Sequence, residues 1–138
     1  MKDDYVSFEI ADLLNDKSFD EWCHAVWFCN PKQVGSESFV ETDNKVCNIG
    51  LKKGDEPLTR WAVSAPTYQQ VFRWLREKHN IFISVGCDIC DSFDFYSMVY
   101  IKGEESWKTV VDFEDEGSES FKQAAEKSIK YCLTELIV

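Results

Sequence analysis

The pattern of apolar and polar positions is clearest in the middle of the chain, where it predicts an amphipathic helix that begins after Thr67 and ends at Asn80. Apolar residues recur there at helical spacing: Tyr68, Val71, Phe72 and Leu75, with Trp74 widening the stripe. The intervening positions are mostly charged or amide residues. One face of the helix is therefore expected to pack on a core and the other to face water.

Local signals mark both ends of this helix. Thr67 followed three residues later by Gln70 is a capping-box pattern, and Pro66 stands where a missing N–H costs nothing. Asn80 suits the left-handed conformation that often ends a helix. Lys78 and His79 occupy the last turn, where positive charge suits the helix dipole. Because an apolar run follows Asn80 directly, a strand is expected to turn back beside the helix.

The same signals divide the rest of the chain into short elements. Ser7 is expected to cap a first helix, and Ser118 or Ser120 a last one. Asp43 and Asn44 are expected to form the tight turn of a β-hairpin. The predicted elements are a helix at 8–14, strands at 22–29, 39–42, 45–51, 60–63, 81–85, 93–102 and 107–113, a loop at 86–92, and a last helix whose apolar face runs from Phe121 to Leu136.

Runs of strands flanked by helices, without regular alternation, indicate an α+β fold. We expect an antiparallel sheet of about five to six strands, with two long helices and one short N-terminal helix packed mainly on one face. A chain of 138 residues fits one compact domain, so residues 1–138 are predicted to form a single domain.

The amino terminus has neither a basic lead nor an apolar run, and no stretch is long enough to span a membrane. These features predict a cytoplasmic protein that does not enter a membrane. Disulfides are rare in a reducing compartment, and most of the six cysteines lie in apolar runs. The cysteines are therefore expected to be mostly buried and free.

Cys87 and Cys90 form the one motif with a chemical spacing, Cys-x-x-Cys. Two thiolates at this spacing can share a zinc ion, but a structural site needs four ligands. Cys23 with His24, or His79, would have to complete it. Redox chemistry is favoured less, because a thioredoxin-like motif precedes a helix and this one lies between two predicted strands. The alternative is a loop with two incidental thiols.

The net charge of −10 argues against general binding to nucleic acid or to an anionic membrane, since both draw affinity from clustered lysine and arginine. Much of the acid lies near the two ends of the chain. Such runs are usually a solvated surface, and the alternative is an acidic face that meets a basic partner. The candidate partner-binding residues on such a face are Glu104, Glu105, Glu114, Asp115 and Glu116.

Aromatic residues make up 14% of the chain, and any that stay exposed would mark a binding surface. The sequence has no glycine-rich phosphate loop and no nucleophile elbow, and nothing in it pairs a cysteine with a histidine. We therefore expect neither catalysis nor a cofactor.

The chain resembles an uncharacterised family of small proteins from phages and mobile elements of gut Bacteroidetes. The shared residues are Ser7 to Ala11, Leu13, Leu14, Phe19, Ala65 to Thr67, Gln69, Trp74 to Glu77, His79 and Ile81, with an alanine-rich last helix ending in Leu-Ile. The resemblance covers most of the chain and implies a phage or accessory-genome origin. It implies no activity.

A second resemblance is topological. The order helix, three-stranded meander, helix is similar to that of a double-stranded-RNA-binding domain. Such domains grip phosphates with a lysine cluster at the start of the last helix. Here Lys122 and Lys127 stand among Glu119 and Glu126, so the charge pattern argues against RNA binding.

The leading hypothesis is a non-enzymatic phage or mobile-element accessory protein that binds a protein partner through an acidic or aromatic surface. A sharper version is a nucleic-acid mimic that occupies a DNA-binding groove. The rivals are a metal-binding module on Cys87 and Cys90, a small-molecule binder with a pocket between helix and sheet, and the RNA-binding-like domain. A homodimer through an edge strand stays open.

Overall fold

The computed structural model describes residues 2–30, 35–48, 51, 61–88, 94–103, 105–112 and 117–137. The chain is α+β and forms two compact units, Met1–Thr67 and Tyr68–Val138. The prediction of one domain is not tested by this division and stays a prediction. No helix in the described ranges combines the length and the apolar character that a membrane crossing needs.

The N-terminal unit begins with a short 3₁₀ turn and α1, Phe8–Asp16. Ser7 caps α1 as predicted, because its side-chain oxygen accepts from the Ile10 N–H at 3.4 Å. Three strands follow, β1 (Cys23–Cys29), β2 (Ser38–Val46) and β3 (Trp61–Ser64), in the antiparallel order β2-β1-β3. β1 is the central strand of this sheet, and five of its seven residues are buried.

The predicted hairpin at Asp43 and Asn44 is wrong. Both residues lie inside β2, which runs in one direction along β1: Glu41 pairs with Ala25 and Val46 pairs with Cys23. The extra residues between these pairs form an irregularity of the strand, where the Thr42 hydroxyl donates to the Asn44 carbonyl at 2.7 Å. A local hydrogen bond thus holds a bulge where turn-forming residues indicated a reversal.

Trp27 is the side chain around which the N-terminal core is built. It is 7% exposed, and its indole N–H donates to the Val6 carbonyl at 2.9 Å. The rings of Phe8 and Phe39 approach its edge at 6.4 and 5.3 Å between centroids. The indole therefore joins the segment before α1 to two strands.

The C-terminal unit has α2 (Tyr68–His79), β4 (Ile81–Asp88), β5 (Asp94–Lys102), β6 (Trp107–Asp112) and α3 (Phe121–Tyr131). The α2 boundaries agree with the prediction, and Asn80 takes the predicted left-handed conformation with φ of 56°. β4, β5 and β6 form an antiparallel meander. β4 is longer than predicted because Gly86, Cys87 and Asp88 continue it.

α3 begins where Ser120 caps it, accepting from the Gln123 N–H at 3.2 Å. The Gln123 side chain in turn accepts from the Glu119 N–H at 2.9 Å. Ser118, the other predicted cap, is instead tied to β5 through two backbone hydrogen bonds with Phe95. A π-helical turn, Cys132–Leu136, follows α3, and Cys132 and Leu133 within it are buried.

The six described strands form two three-stranded sheets, so the single sheet of five to six strands is not confirmed. The chain leaves β3 at Ser64 and enters α2 at Tyr68 after three intervening residues, and the next strand pairs with β5. Each sheet is completed by strands that are near in sequence.

Burial decides which face of the second sheet carries the helices. Ile81, Ile83, Ser97 and Val99 are buried on one face, and the Ser97 hydroxyl meets the Ser128 hydroxyl of α3 at 2.6 Å. α2 contacts β4, and α3 contacts β4 and β5. Because side chains alternate along a strand, Phe82 and its neighbours on the other face are left uncovered by these helices.

Candidate binding surface

The open face of the β4-β5-β6 sheet carries a row of aromatic rings. Phe82 on β4 pairs directly with Tyr100 on β5, with ring centroids 6.0 Å apart. Trp107 at the start of β6 lies 5.9 Å from Phe82. Phe82 and Trp107 each remain 40% exposed in the whole chain. Three large rings thus form one continuous apolar surface.

Tyr96 extends this row along β5. Its cross-strand partner is Gly86, and a Cβ at Gly86 would come within 2.6 Å of the Tyr96 ring. The absence of a side chain at Gly86 therefore leaves the space that the phenol end of Tyr96 occupies. We call the four residues Phe82, Tyr96, Tyr100 and Trp107 the aromatic strip.

An open depression of about 440 Å³ lies along the strip. It is lined by Arg76 from α2 and by Phe82, Ser84, Tyr100 and Trp107 from the sheet. The lining combines aromatic rings with one guanidinium group. Its volume falls in the range of roughly 300–1,000 Å³ that is usual for ligand sites.

A second depression of about 710 Å³ lies beside the β5-β6 turn. Its charged lining residues are Lys102, Glu105 and Lys108. The turn is closed by a hydrogen bond from the Gly103 N–H to the Ser106 carbonyl at 2.7 Å. Lys102 and Trp107 are cross-strand partners, which brings this depression next to the strip.

Of the five acidic residues predicted to bind a partner, the structure describes one. Glu105 is exposed at the turn beside the strip. Glu104, Glu114, Asp115 and Glu116 lie outside the described residues. The acidic surface therefore stays a prediction.

The metal-site candidates are likewise not brought together by what the structure describes. Cys87 is an exposed free thiol on β4, and Cys90 lies outside the described residues. Among the residues with described positions, no three of histidine, cysteine, aspartate and glutamate cluster as metal ligands would. A zinc site on Cys87 and Cys90 stays a prediction.

His79 differs from its expected role as a cation at the helix end. Its ring lies 4.6 Å from the ring of Trp74, and burial lowers its pKa below the usual value. The sequence predicted a favourable interaction of His79 with the helix dipole, but it did not predict that the Trp74 indole would partly bury the ring. Because burial lowers the pKa, His79 carries less positive charge than expected.

Most cysteines were expected to be buried, and Cys23, Cys29 and Cys132 are buried. Cys47 is partly buried, and Cys87 is exposed. Burial raises the pKa of Cys23 to about 11 and that of Cys132 to about 12.

We expect N-ethylmaleimide to modify Cys87 in the folded protein well before Cys23 or Cys132, because the thiolate is the nucleophile and must be reachable. Timed labelling with fragment mass spectrometry would show this order. Labelling of Cys132 as fast as Cys87 in native buffer would contradict the buried packing of α3.

Sequence reasoning missed the aromatic strip, although the signal was present. Phe82 alternates with Ile81 and Ile83, and Tyr96 and Tyr100 share one parity on β5. That pattern predicts large apolar residues on both faces of the sheet, and the two helices cover one of these faces.

Comparison with known proteins adds no relative: no family model, no curated protein and no solved structure matches this chain.

Proposed function

We propose that this chain is a non-enzymatic binding protein that docks a partner protein on the aromatic strip. The observation that carries the proposal is the contiguity of the rings of Phe82, Tyr100 and Trp107, of which Phe82 and Trp107 are each 40% exposed. Large aromatic side chains supply most of the binding energy at protein interfaces, especially when they cluster. A monomer gains nothing from leaving such a cluster in water, which supports a role in recognition.

The acidic residues belong to the proposal as a second part of the surface. Glu105 stands at the edge of the strip. Glu104, Glu114, Asp115 and Glu116 are proposed to add negative charge nearby on sequence grounds alone. A cytoplasmic setting, an origin in a phage or mobile element, and a homodimer as the bound form also remain proposals.

The RNA-binding-like alternative has one observation in its favour. α2, the β4-β5-β6 meander and α3 follow the helix, three strands, helix order of that class. The opposing observation is the mixed charge at the start of α3, where Glu119 and Glu126 accompany Lys122 and Lys127. Phosphate binding needs a clear excess of cations, so we favour a protein partner. The metal-binding alternative rests on Cys87 and Cys90 as before.

The test compares the wild-type chain with a Phe82→Ala, Trp107→Ala double variant as bait in lysate of the natural host. We expect a stoichiometric protein partner with the wild type and at least about tenfold less of it with the double variant, because each ring is a candidate hot spot. Trp22→Ala is the matched control, since Trp22 is 60% exposed and belongs to the N-terminal unit. Thermal unfolding of every variant would show that the fold is kept. Equal recovery by the wild type and the double variant would sink the proposal.

A further inference from the structure

Met98 lies in the middle of the aromatic strip, on the open face of the β4-β5-β6 sheet. It stands between Tyr96 and Tyr100 on β5. Its chain neighbours Ser97 and Val99 are buried on the face that the helices cover. Because side chains alternate along a strand, Met98 lies on the same face as the two tyrosines. Its side chain is partly exposed, so solvent reaches it there.

Two neighbours define the surroundings of the Met98 sulfur. The Tyr100 hydroxyl donates a hydrogen bond to the Met98 Sδ at 3.2 Å. The cross-strand partner of Met98 on β4 is Ser84, whose side chain is small and partly exposed. No large side chain of β4 therefore stands directly opposite the thioether. A thioether sulfur is a weak acceptor with two lone pairs, so one lone pair stays available when the other accepts from Tyr100.

The sequence makes this thioether unusual for the chain. Met98 is the only methionine besides Met1. Oxidation of methionine turns a flexible apolar side chain into a polar sulfoxide, and this chemistry is reversible by methionine sulfoxide reductases. The one internal thioether of the chain thus lies among the rings that the proposed function uses.

We infer that Met98 is a modification site at which hydrogen peroxide converts the thioether to a sulfoxide, and that this change weakens partner binding at the aromatic strip. In the reaction the O–O bond breaks, and one peroxide oxygen forms the new S–O bond. The other oxygen leaves as water with both hydrogens. The sulfur loses two electrons and the peroxide gains them. The effect on binding rests on the proposed function, whereas the chemical step does not.

The sulfoxide changes the strip in two ways. It sets a strongly accepting oxygen among rings that a partner covers, and burial of that oxygen without a donor costs free energy. It also offers the Tyr100 hydroxyl a better acceptor than sulfur, one bond farther out, so the Tyr100 ring has to shift. Phe82 lies 6.0 Å from that ring between centroids. The shift therefore reaches the exposed part of the strip.

The experiment first measures the chemical step on the full chain. Hydrogen peroxide is added together with N-acetylmethionine amide as an internal reference. Dithiothreitol then reverses the reversible oxidation of thiols, including that of the exposed Cys87. Fragment mass spectrometry should find one added oxygen on Met98, at no less than about a tenth of the rate of the reference. A Met98 that stays unoxidised when the reference is fully converted would overturn the modification site.

The binding step uses a peptide selected by display against the untreated chain, chosen because the Phe82→Ala, Trp107→Ala variant does not bind it. The oxidised wild type should bind this peptide at least about tenfold more weakly than the untreated chain. Methionine sulfoxide reductase should restore the binding. Met98→Leu is the matched control, because leucine has a similar volume and no sulfur. Peroxide should not weaken the binding of this variant from its own starting affinity.

The outcomes separate the inference from the proposed function. Equal binding by the oxidised and the untreated wild type would overturn the inference while the proposed function stands. An equal loss in Met98→Leu after the same treatment would do so too, because another group would then cause it. So would loss of the folded far-ultraviolet circular dichroism spectrum on oxidation. A selection that enriches no peptide dependent on Phe82 and Trp107 would overturn the proposed function and the effect on binding together.

Discussion

Replacing Trp27 with alanine is expected to destabilise the N-terminal unit by about 4 kcal/mol, the largest stability effect of any single change considered for this chain. The indole is 7% exposed and packs against Phe8 and Phe39, so its removal leaves a cavity between α1 and two strands. It also removes the hydrogen bond that the indole N–H donates to the Val6 carbonyl. A loss of this size is a large part of the roughly 5–15 kcal/mol by which domains are stable.

Urea unfolding followed by far-ultraviolet circular dichroism, with hydrogen exchange at β1 amides, would measure the Trp27 effect. Trp27→Phe should cost less than Trp27→Ala, because it keeps ring packing and loses mainly the hydrogen bond to Val6. Trp22→Ala is the matched control: Trp22 is 60% exposed, and its loss should change stability by no more than about 0.5 kcal/mol. Similar effects of Trp27→Ala and Trp22→Ala would show that Trp27 does not hold this core.

Asn48→Ala is expected to cost about 2 kcal/mol, the second largest effect, because one side chain satisfies two backbone groups. The Asn48 Nδ2 donates to the Phe19 carbonyl, and its Oδ1 accepts from the Ser64 N–H, each at 2.8 Å. Phe19 and Ser64 are buried, so water does not readily replace either bond. Asn48 thereby ties the segment after α1 to the end of β3.

Two further variants separate hydrogen bonding from simple truncation at Asn48. Asn48→Asp keeps an acceptor for Ser64 but sets a carboxylate oxygen against the Phe19 carbonyl, so at neutral pH it should be at least as harmful as Asn48→Ala. Asn44→Ala is the control, because Asn44 is exposed and the structure uses its backbone carbonyl, not its side chain, in the bond to Thr42. An Asn48→Ala protein as stable as the Asn44→Ala protein would contradict the bridging role.

Elements whose ends are marked by local chemistry could be predicted from the sequence. Ser7 and Ser120 are N-caps, Asn80 has a positive φ, and the apolar stripe of α2 is buried at Val71 and Leu75. Each of these depends on residues within one or two helical turns of one another. The order of the elements followed for the same reason, except that two strands were predicted where β2 is one.

The candidate surface could not be predicted, because it depends on strand register. Cys-x-x-Cys and the acidic runs drew attention as motifs, whereas Phe82, Tyr100 and Trp107 are scattered in the sequence and meet only when β4, β5 and β6 pair. Arg76 joins them from α2. No rule based on neighbouring residues predicts that these rings become neighbours, because a shift of one residue in the pairing register of a strand would turn its rings to the other face of the sheet.

The α+β class, the limits of the first two helices and the acidic balance could all be derived from the amino-acid sequence, because they follow from neighbouring residues and from composition. Three features depend on contacts between distant residues: the bulge of Asp43 and Asn44 within β2, the division of the described strands between two sheets, and the position of the Trp74 ring against His79. The physical reason is the same in each case. Local propensities offer several conformations of similar free energy, and long-range pairing and burial select among them.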